Sequence, residues 1–266
     1  MSRVVLITGC SSGIGRLTAE LFAKRGWSVS ATSRRPETIA ASGNMSAFRL
    51  DVRDEESIAA AVAATVDRYG TIDVLVNNAG YGLFGPLEGA TTAQLEAQFR
   101  TNVLGPAAVI RHVLPVMRER RSGTIVNVSS LAGRMATPFM SAYHASKFAL
   151  EGLSESLRYE LSLYGIRVKL VEPAHFRTDF MERSLQRTSH AAYDVQFENY
   201  MGWVKKEDAT APAPQPVAEA IYRAANDDSA KLRYPVGGKL IRALALLLPD
   251  AVFRSLNTAG MTRPSK

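Results

Sequence analysis

The stretch "VVLITGCSSGIG", residues 4–15, determines how the rest of the chain can be interpreted. It opens with apolar and β-branched residues, Val4–Thr8, that are typical of a buried strand. Three glycines follow, Gly9, Gly13 and Gly15, and then an apolar stripe with helical spacing. Glycine between a strand and a helix permits a sharp turn and brings backbone amides close to a ligand. The stretch therefore predicts a strand, a glycine loop and a helix whose N-terminus suits a pyrophosphate group.

Strand and helix patterns alternate along the remaining chain. Short runs rich in valine, isoleucine and leucine are separated by segments with helical period. These runs predict further strands at residues 27–32, 72–77, 124–129 and 167–172. One intervening segment predicts a helix that ends at Gly70, and a later one predicts a helix from about Val217 to Asn226. Repeated βα units indicate an α/β fold of Rossmann type, with a doubly wound parallel sheet of about seven strands and helices on both faces.

Length and composition bound the class of protein. The 266 residues, 46% of them hydrophobic, suffice for one domain, with a substrate lid at about 178–216 and a C-terminal helical extension at about 238–258. The apolar run at 243–248 is far shorter than the roughly 20 residues that span a bilayer, and the residues before the first strand lead us to expect no secretory leader. The single cysteine, Cys10, can form no internal disulfide. We therefore expect a soluble protein of the cytoplasm.

The formal net charge of +7 does not indicate a nucleic-acid partner. Basic residues are scattered, with only short pairs such as Arg34-Arg35 and Lys205-Lys206. The chain contains no basic helix and no zinc-finger spacing, so we expect neither nucleic acid nor a bound metal. A generally basic surface, or a small anionic ligand, accounts for the charge.

The second predicted strand provides an independent indication about that ligand. An acidic residue about 20 positions after the glycine loop would bind the ribose 2′-hydroxyl of NAD. The strand instead ends in "ATSRRPE", residues 31–37, with Ser33 at roughly that place and Arg34 and Arg35 after it. Guanidinium groups bind phosphate well, so this strand end predicts NADP(H) in preference to NAD(H). Two solvated arginines in a loop are the alternative interpretation.

A second group of polar residues predicts proton-transfer chemistry. Tyr143 and Lys147, in "YHASK", lie four residues apart on a predicted helix and therefore share a face. Ser130 ends the strand "TIVNVSS", which brings a hydroxyl to the edge where open α/β sheets bind ligands. Asn102 lies at the edge of the apolar stripe of a helix that begins near Thr92. A buried amide needs partners, which neighbouring backbone could supply as well as a catalytic role.

Together these residues resemble the classical form of the short-chain dehydrogenase/reductase family, over about residues 2–240. The C-terminal stretch is similar to the tails of hydroxysteroid- and retinol-dehydrogenase-like members. The motifs that carry the resemblance are T-G-x-x-x-G-I-G at Thr8–Gly15, Asp51 in "RLDV", N-N-A-G at Asn77–Gly80, Asn102, Ser130, Tyr143-x-x-x-Lys147, and Pro173 with Thr178.

The resemblance implies a role for each of four polar residues. Tyr143 would be the general acid when a carbonyl is reduced and the general base in the reverse direction. Lys147 would bind the nicotinamide ribose and lower the pKa of the tyrosine. Ser130 would hydrogen-bond the substrate oxygen, and Asn102 would hold a water in a proton relay. An ammonium about 4 Å from a phenolate favours it by about 4 kcal/mol at an effective dielectric constant of about 20, and desolvation opposes this effect.

The resemblance also implies a set of nucleotide contacts. The set is Thr8, Gly9, Ser11, Ser12, Gly13, Ile14, Gly15, Ser33, Arg34, Arg35, Asp51, Val52, Asn78, Ala79, Gly80, Tyr143, Lys147, Pro173 and Thr178. One departure is Ala174-His175 after Pro173, where the family commonly has Pro-Gly, so Ala174 would restrict the backbone beside the nicotinamide. We interpret His175 as a loop residue and Cys10 as a small filler of the glycine loop, not a nucleophile.

The segment after residue 178 indicates the kind of substrate. Four of its residues have helical spacing, namely Tyr193, Phe197, Tyr200 and Met201. They predict a lid helix that closes over an apolar ketone, aldehyde or alcohol, or that only packs against the core. Three arginines near the start of the lid leave open a ligand with one acidic end: Arg177, Arg183 and Arg187.

The sequence thus predicts an NADP-dependent oxidoreductase for an apolar carbonyl compound or the matching alcohol. A non-catalytic NADP-binding regulator or scaffold is one alternative, and another reaction such as epimerisation or dehydration is a second. The C-terminal stretch could cover the cleft, pack on a partner subunit or, least favoured, lie on a membrane surface. A homo-oligomer is compatible with the sequence.

Overall fold

The computed structural model describes residues 2–239, 241, 247–249, 251–255 and 258. Its strands are β1 (Val4–Thr8), β2 (Ser28–Ser33), β3 (Met45–Arg49), β4 (Val74–Asn77), β5 (Gly82–Phe84), β6 (Gly123–Val128), β7 (Ile166–Pro173), β8 (Leu185–Arg187) and β9 (Arg233–Val236). Seven of them form a parallel sheet in the order β3-β2-β1-β4-β6-β7-β9, and β5 pairs with β8 in a separate small sheet. The predicted doubly wound sheet of seven parallel strands is confirmed.

The strands predicted from apolar runs all lie inside this sheet, with ends that differ from the prediction by at most two residues. The two outer strands, β3 and β9, are not located by the sequence patterns. Edge strands are less apolar, because one side of each strand has no neighbour. The residues of β3 are only half-buried or exposed, and β9 contains Pro235, which an edge strand tolerates.

The helices are α1 (Gly13–Lys24), α2 (Glu55–Tyr69), α3 (Thr92–Phe99), α4 (Gly105–Glu119), α5 (Ser141–Ser162), α6 (Phe180–Arg183), α7 (Asp194–Thr210) and α8 (Gln215–Ala225). On one face of the sheet α1 and α8 pack around Phe22 and Ile221. On the other face α2, α4 and α5 pack around Ile58 and Val113. Because both faces are covered, the central strands are continuously apolar and do not alternate.

Capping residues in the sequence set the ends of two helices. The Asp54 carboxylate accepts hydrogen bonds from the backbone N–H groups of Glu56 and Ser57, at 3.1 and 3.2 Å. Gly70, with a φ of 79°, ends α2 as predicted. At the start of α3, Thr91 forms a capping box with the residue three positions on, and the helix begins at the predicted position.

The strand order reverses beside β1, which lies between β2 and β4. The loops that follow β1, β4, β6 and β7 therefore meet at one edge of the sheet. In doubly wound sheets, ligands bind at this crevice. The four strand ends bring Gly9, Asn78, Ser130 and Pro173 to this edge.

The segments that the sequence assigns to a lid and a C-terminal extension differ in how much of them is described. Residues 178–216 contain α6, β8 and α7 and lead into α8. Within the extension, residues 240, 242–246, 250 and 256–257 lie outside the described residues, as does most of the apolar run at 243–248, while residues 251–255 are helical. In the part of the chain that is described, no helix combines the length and the apolar character needed to cross a membrane.

Candidate active site

The glycine loop between β1 and α1 leaves little room for side chains. Gly9 adopts a left-handed backbone conformation with a φ of 76°, which favours glycine. At Gly15, a Cβ atom would lie 2.2 Å from the carbonyl oxygen of Gly9 and 2.4 Å from Nδ2 of Asn78. Backbone conformation explains the first of these glycines, and close packing of α1 on the loop explains the second.

The Thr8 side chain holds this loop in place through hydrogen bonds. Its hydroxyl accepts hydrogen bonds from the backbone N–H groups of Asn78 and Ala79, both at 3.0 Å. The Asn78 amide in turn donates to the carbonyl oxygens of Thr8 and Gly9, at 2.9 and 3.1 Å. These bonds tie the end of β1 to the turn after β4. The Thr8 hydroxyl is buried and used in these bonds, and the residue does not line the cleft, so its expected nucleotide contact stays a prediction.

A cleft of about 560 Å³ opens at this edge of the sheet. The other predicted residues, with the exceptions of Arg35 and Asn102, lie on its wall. The predicted residues that line it are Gly9, Ser11, Ser12, Gly13, Ile14, Gly15, Ser33, Arg34, Asp51, Val52, Asn78, Ala79, Gly80, Ser130, Tyr143, Lys147, Pro173 and Thr178. Residues from the whole length of the chain thus converge on one concave surface.

The two neighbouring arginines after β2 have different positions. Arg34 is exposed and lines the cleft, whereas Arg35 does not line it. The backbone N–H of Arg35 donates to the Ser33 hydroxyl at 3.1 Å, and a tight turn, Pro36–Thr38, begins directly after it. The nucleotide contact expected of Arg35 therefore stays a prediction, with Arg34 the better placed of the two arginines.

The Asp51 carboxylate, which is among the expected nucleotide contacts, is already paired with Arg53, a residue that lines the cleft. Arg53 donates to both of its oxygens, from Nε to Oδ1 at 3.0 Å and from Nη2 to Oδ2 at 2.7 Å. These bonds lower the pKa of Asp51 below its ordinary value. A nucleotide base bound at this end of the cleft would contact the ion pair of Asp51 and Arg53.

Tyr143, Lys147 and Ser130 come together on the inner wall of the cleft. The first two lie one turn apart near the start of α5, and both are buried. The side chain of Ser130, which follows β6, lies close enough to the Tyr143 hydroxyl to act on its pKa through hydrogen bonding. The Ser130 hydroxyl itself donates to the carbonyl oxygen of Pro173 at 3.4 Å. The Lys147 ammonium donates to the carbonyl oxygen of Val128 at 3.0 Å and lies 5.8 Å from the centre of the Tyr143 ring. Two hydroxyls and one cation therefore face the space where strand ends meet.

Burial shifts the pKa values of this pair in opposite directions. It raises the pKa of Tyr143 to about 12, although the hydrogen bond with Ser130 acts to lower it. It lowers the pKa of Lys147 to about 8, although the negative charge of Glu151 acts to raise it. Desolvation of the phenolate is the largest effect on Tyr143, and the expectation that the Lys147 ammonium lowers the pKa of this tyrosine stays a prediction.

Asn102 lies in a π-helical turn, Arg100–Leu104, that joins α3 to α4. Its Nδ2 donates to the carbonyl oxygen of Tyr81 at 2.9 Å and to the Ser146 hydroxyl at 3.1 Å. Its Oδ1 accepts from the backbone N–H of Tyr81 at 3.1 Å. The side chain is buried and does not line the cleft. The Asn102 side chain therefore holds the turn after β4, and the expected role of Asn102 in holding a relay water stays a prediction.

The departures from the family pattern have simple structural outcomes. Ala174 has an ordinary negative φ, and its N–H donates to the carbonyl oxygen of Val236 at 2.9 Å, so the missing glycine causes no strain. His175 lines the cleft mouth but pairs with Asp208 at 3.0 Å. Burial raises the pKa of Cys10 to about 12, which makes it a packing residue and not a nucleophile.

Residues of the lid form an apolar wall opposite the glycine loop. The large apolar side chains that line the cleft there are Phe180, Met181, Tyr200 and Trp203, joined by Met140 from the start of α5. Phe197 lies behind them and packs against Phe139, with ring centres 5.4 Å apart. Tyr193 differs from its helical partners, because it precedes α7 and is exposed. Of the three arginines near the lid, only Arg183 lines the cleft.

Several cleft residues are not indicated by the motifs. Tyr81 follows the N-N-A-G turn directly, and Arg53 follows Asp51 by two positions, so adjacency to a motif is the one signal that could have located them. Thr137 and Met140 precede the Tyr143 motif in the same way. Phe139, beside them, has a φ of 57°, which is rare for a bulky residue and has no sequence signal.

Comparison with known proteins agrees with this geometry. The profile of the family described as short chain dehydrogenase matches residues 3–189. Estradiol 17-beta-dehydrogenase 1 of Rattus norvegicus is 40% identical over 254 residues, which are 88% of this chain and 73% of that protein.

Solved structures are similar over most of the chain. A short-chain dehydrogenase from Streptomyces avermitilis is 38% identical with a TM-score of 0.83, covering 96% of this chain and 95% of that one. ElxO, solved with NADP bound, is 30% identical with a TM-score of 0.73, covering 88% of this chain and 98% of that one. On these matches, and on the motifs gathered around its cleft, the chain belongs to the short-chain dehydrogenase/reductase family in its classical form.

Proposed function

We propose that the protein is an NADP(H)-dependent oxidoreductase that interconverts an apolar ketone or aldehyde and the matching alcohol. The observation that carries the proposal is that the side chains of Ser130, Tyr143 and Lys147 lie together on the wall of the cleft. A carbonyl oxygen bound at Ser130 and Tyr143 would meet one hydroxyl that orients it and one that can transfer a proton.

The residues of the cleft have separate tasks in this proposal. NADPH, when bound, supplies the hydride. Ser130 donates a hydrogen bond to the carbonyl oxygen, and Tyr143 donates its proton to the same oxygen as charge develops there. Because burial raises the pKa of Tyr143 to about 12, the tyrosine keeps its proton at neutral pH, as an acid in the reductive direction must. The Lys147 ammonium, one turn away, would hold the nicotinamide ribose.

The cradle for the cofactor is formed by the glycine loop and the end of β2. A Cβ atom at Gly13 would lie 3.8 Å from Cβ of Thr178, so this part of the cleft narrows between the loop and the start of the lid. At the other end, Ser33 and exposed Arg34 stand where an NAD-specific chain would place a carboxylate. A guanidinium at this place favours the additional phosphate of NADP. The NADP in the similar protein ElxO agrees with this preference.

The substrate class is inferred from the lid side of the cleft. Aromatic and methionine side chains dominate it, and such side chains bind apolar ligands of varied shape. A similar protein is named for estradiol, an apolar alcohol. Ser130 and Tyr143 supply the polar contacts that one carbonyl or hydroxyl group needs.

Tyr143→Phe tests the proposal, because it removes the proton and keeps the ring. We expect turnover of an apolar ketone with NADPH to fall by at least about a hundredfold while NADPH binding stays nearly unchanged, since acid–base groups contribute roughly 10²–10⁴-fold. Tyr222→Phe is the matched control, because that tyrosine packs against Phe22 and does not line the cleft. Wild-type turnover in Tyr143→Phe would refute the assignment. NADPH consumption without an equal amount of alcohol would refute reduction itself.

A further inference from the structure

A buried group of charged side chains lies outside the cleft, next to Lys147. It consists of Glu151 on α5, Glu172 at the end of β7 and Arg233 at the start of β9. None of the three lines the cleft. The two carboxylate side chains are only 5% and 3% exposed, which is unusual for glutamate. Burying charge costs free energy, so the group needs an explanation.

Arg233 holds the group together. Its Nε lies 3.2 Å from Oε2 of Glu151 and 3.3 Å from Oε1 of Glu172. Its Nη2 lies 2.8 Å from Oε2 of Glu155, which is one turn further along α5 and half-exposed. Two buried carboxylates thus share one guanidinium, next to the active site.

Glu151 connects this group to the reactive residues in two ways. It lies four residues after Lys147 on α5, so the two side chains share a helix face, and its charge acts on the Lys147 ammonium against the effect of burial. A Cβ atom at Gly133 would lie 2.9 Å from Cγ of Glu151 and 2.9 Å from the Ser129 hydroxyl. The turn Leu131–Gly133, which directly follows Ser130, therefore rests on Glu151.

Arg233 contacts only one of the two oxygens of the Glu151 carboxylate. Oε1 of Glu151 and the hydroxyl of Ser129 are both buried, and neither has a hydrogen-bond partner among the described residues. Lys147 itself forms no ion pair within this part of the chain and donates only to the carbonyl oxygen of Val128. The negative charge of Glu151 is therefore available to the ammonium one turn away.

We propose that Glu151 is a positioning residue of the active site, whose buried carboxylate, held by Arg233, keeps the Lys147 ammonium charged and supports the turn that carries Ser130. The proposal rests on the proposed function, since it concerns the same reaction. It adds a residue that never touches substrate or cofactor.

Other charged groups around α5 bear on the Lys147 titration. Tyr143 shares its helix, β7 supplies Glu172, and β9 supplies Arg233. Charged or titratable residues on the remaining elements packed against α5 are Tyr81 before β5, Glu96 on α3, Arg100 in the π turn and Arg134 after the Leu131–Gly133 turn. Glu96 and Arg100 are exposed, where water screens them. Among these groups, Glu151 is the one whose charge raises the pKa of Lys147.

The test compares Glu151→Gln with Glu155→Gln. Glu155 lies one helical turn after Glu151 and contacts the same guanidinium, so it is the matched control. Lysines labelled with ¹³C at Cε are titrated by NMR without cofactor, and the Lys147 resonance is assigned by its absence in Lys147→Met. We expect Glu151→Gln to lower the pKa of Lys147 by about half a unit to one unit, because a nearby negative charge is lost. Glu155→Gln should leave it unchanged.

A second readout uses the reaction. In Glu151→Gln the loss of NADPH-dependent reduction at alkaline pH should move to lower pH by the same amount, with kcat affected more than KM. Glu151→Asp keeps the charge and should restore the wild-type titration, whereas a purely structural role would favour the isosteric glutamine. If Glu151→Gln does not fold, the titration of Lys147 in Glu151→Asp is the deciding measurement. A pKa of Lys147 that is lower than in wild type by half a unit or more in Glu151→Asp overturns the proposal.

The two proposals fail in different ways. An unchanged Lys147 titration in folded Glu151→Gln overturns the role of Glu151, whatever the turnover. A shifted titration in a protein that reduces no ketone supports the role of Glu151 and refutes the proposed reaction.

Discussion

Tyr143 and Lys147 show how burial and charge compete at single residues. Both lie inside the protein, where the charged form of each is disfavoured, so the tyrosine holds its proton more tightly and the lysine less tightly. Without a negative charge nearby, the lysine would lose its proton at still lower pH. The acid–base behaviour of Tyr143 and Lys147 therefore depends on their surroundings as much as on their own chemistry.

The lowered pKa of Lys147 predicts a dependence of stability on pH. Folded Lys147 loses its proton near pH 8, whereas in the unfolded chain it keeps the proton to about 10.5. Between these values the unfolded state binds more protons, so the free energy of unfolding rises with pH, by at most about 3 kcal/mol. The free energy of unfolding in urea, without cofactor, should be higher for Lys147→Met than for wild type. The difference should be largest near pH 7 and should shrink toward pH 10.

Subtracting the two curves removes the contribution of other groups. Cys10 also titrates at alkaline pH in the unfolded chain, but equally in both proteins. A margin that is constant from pH 7 to pH 10 would contradict the lowered pKa of Lys147.

Arg34 predicts the choice between the two nicotinamide cofactors. Losing an exposed charged contact with a phosphate costs about 1.5 to 3 kcal/mol, so Arg34→Ala should weaken NADPH binding by roughly 10- to 100-fold. NADH binding should change little, because NADH lacks that phosphate. Arg35→Ala is the matched control, since Arg35 is exposed but does not line the cleft. The affinities are measured by calorimetric titration. An equal loss of NADPH affinity in both variants, or an equal loss of NADPH and NADH affinity in Arg34→Ala, would argue against this contact.

At the scale of elements, the lid helix α7 divides its side chains between two tasks. Phe197, Tyr200, Met201 and Val204 are buried with Tyr143 and Phe84 in one apolar cluster. Trp203 is half-buried and lines the cleft. Phe139, whose backbone φ is 57°, packs against this helix, with its ring centre 5.6 Å from that of Tyr200. The inner residues hold α7 in place, and Tyr200, Val204 and the half-buried Trp203 line the cleft.

Trp203→Ala should therefore flatten the preference for large apolar ketones. Burying a large side chain against ligand contributes about 1.5 to 3 kcal/mol, so we expect kcat/KM for the largest ketones of a homologous series to fall about 10-fold or more. The smallest members should change little. Val195→Ala serves as the control, because Val195 lies on the outer side of the same helix and is 72% exposed. A steep series that Trp203→Ala leaves unaltered would show that the lid does not select substrate.

At the scale of the whole molecule, cofactor binding should be visible as stability. The cleft joins the ends of β1, β4, β6 and β7, which belong to one sheet, so a ligand that bridges them stabilises the fold as a unit. NADPH at 100 times its dissociation constant should add about 2.7 kcal/mol to the free energy of unfolding. For a chain of this length that corresponds to a rise of roughly 5–10 °C in Tm.

Thermal unfolding with equal concentrations of NADPH and NADH is the measurement. The rise with NADPH should exceed that with NADH, and Arg34→Ala should remove most of the difference. A larger rise with NADH would contradict the proposed cofactor preference.

The sequence by itself determined the features that depend on local pattern. The glycine loop, the buried strands and the Tyr143–Lys147 spacing are visible because side chains repeat with the period of a strand or a helix, and because glycine marks positions where other residues do not fit. The order of strands then follows from repeated βα units, which have few allowed arrangements. Family resemblance added the roles, but not the geometry.

Only the tertiary structure decided which neighbours those residues meet. Arg34 and Arg35 are adjacent and chemically identical, and a turn alone separates their positions. Arg233 and Glu151 are 82 positions apart in the chain, and no period or motif links them. The pKa values depend on burial, which sums contacts from every element around a group. Local periodicity specifies strands and helices, whereas long-range packing sets the partners and the pKa values of the side chains that line the cleft.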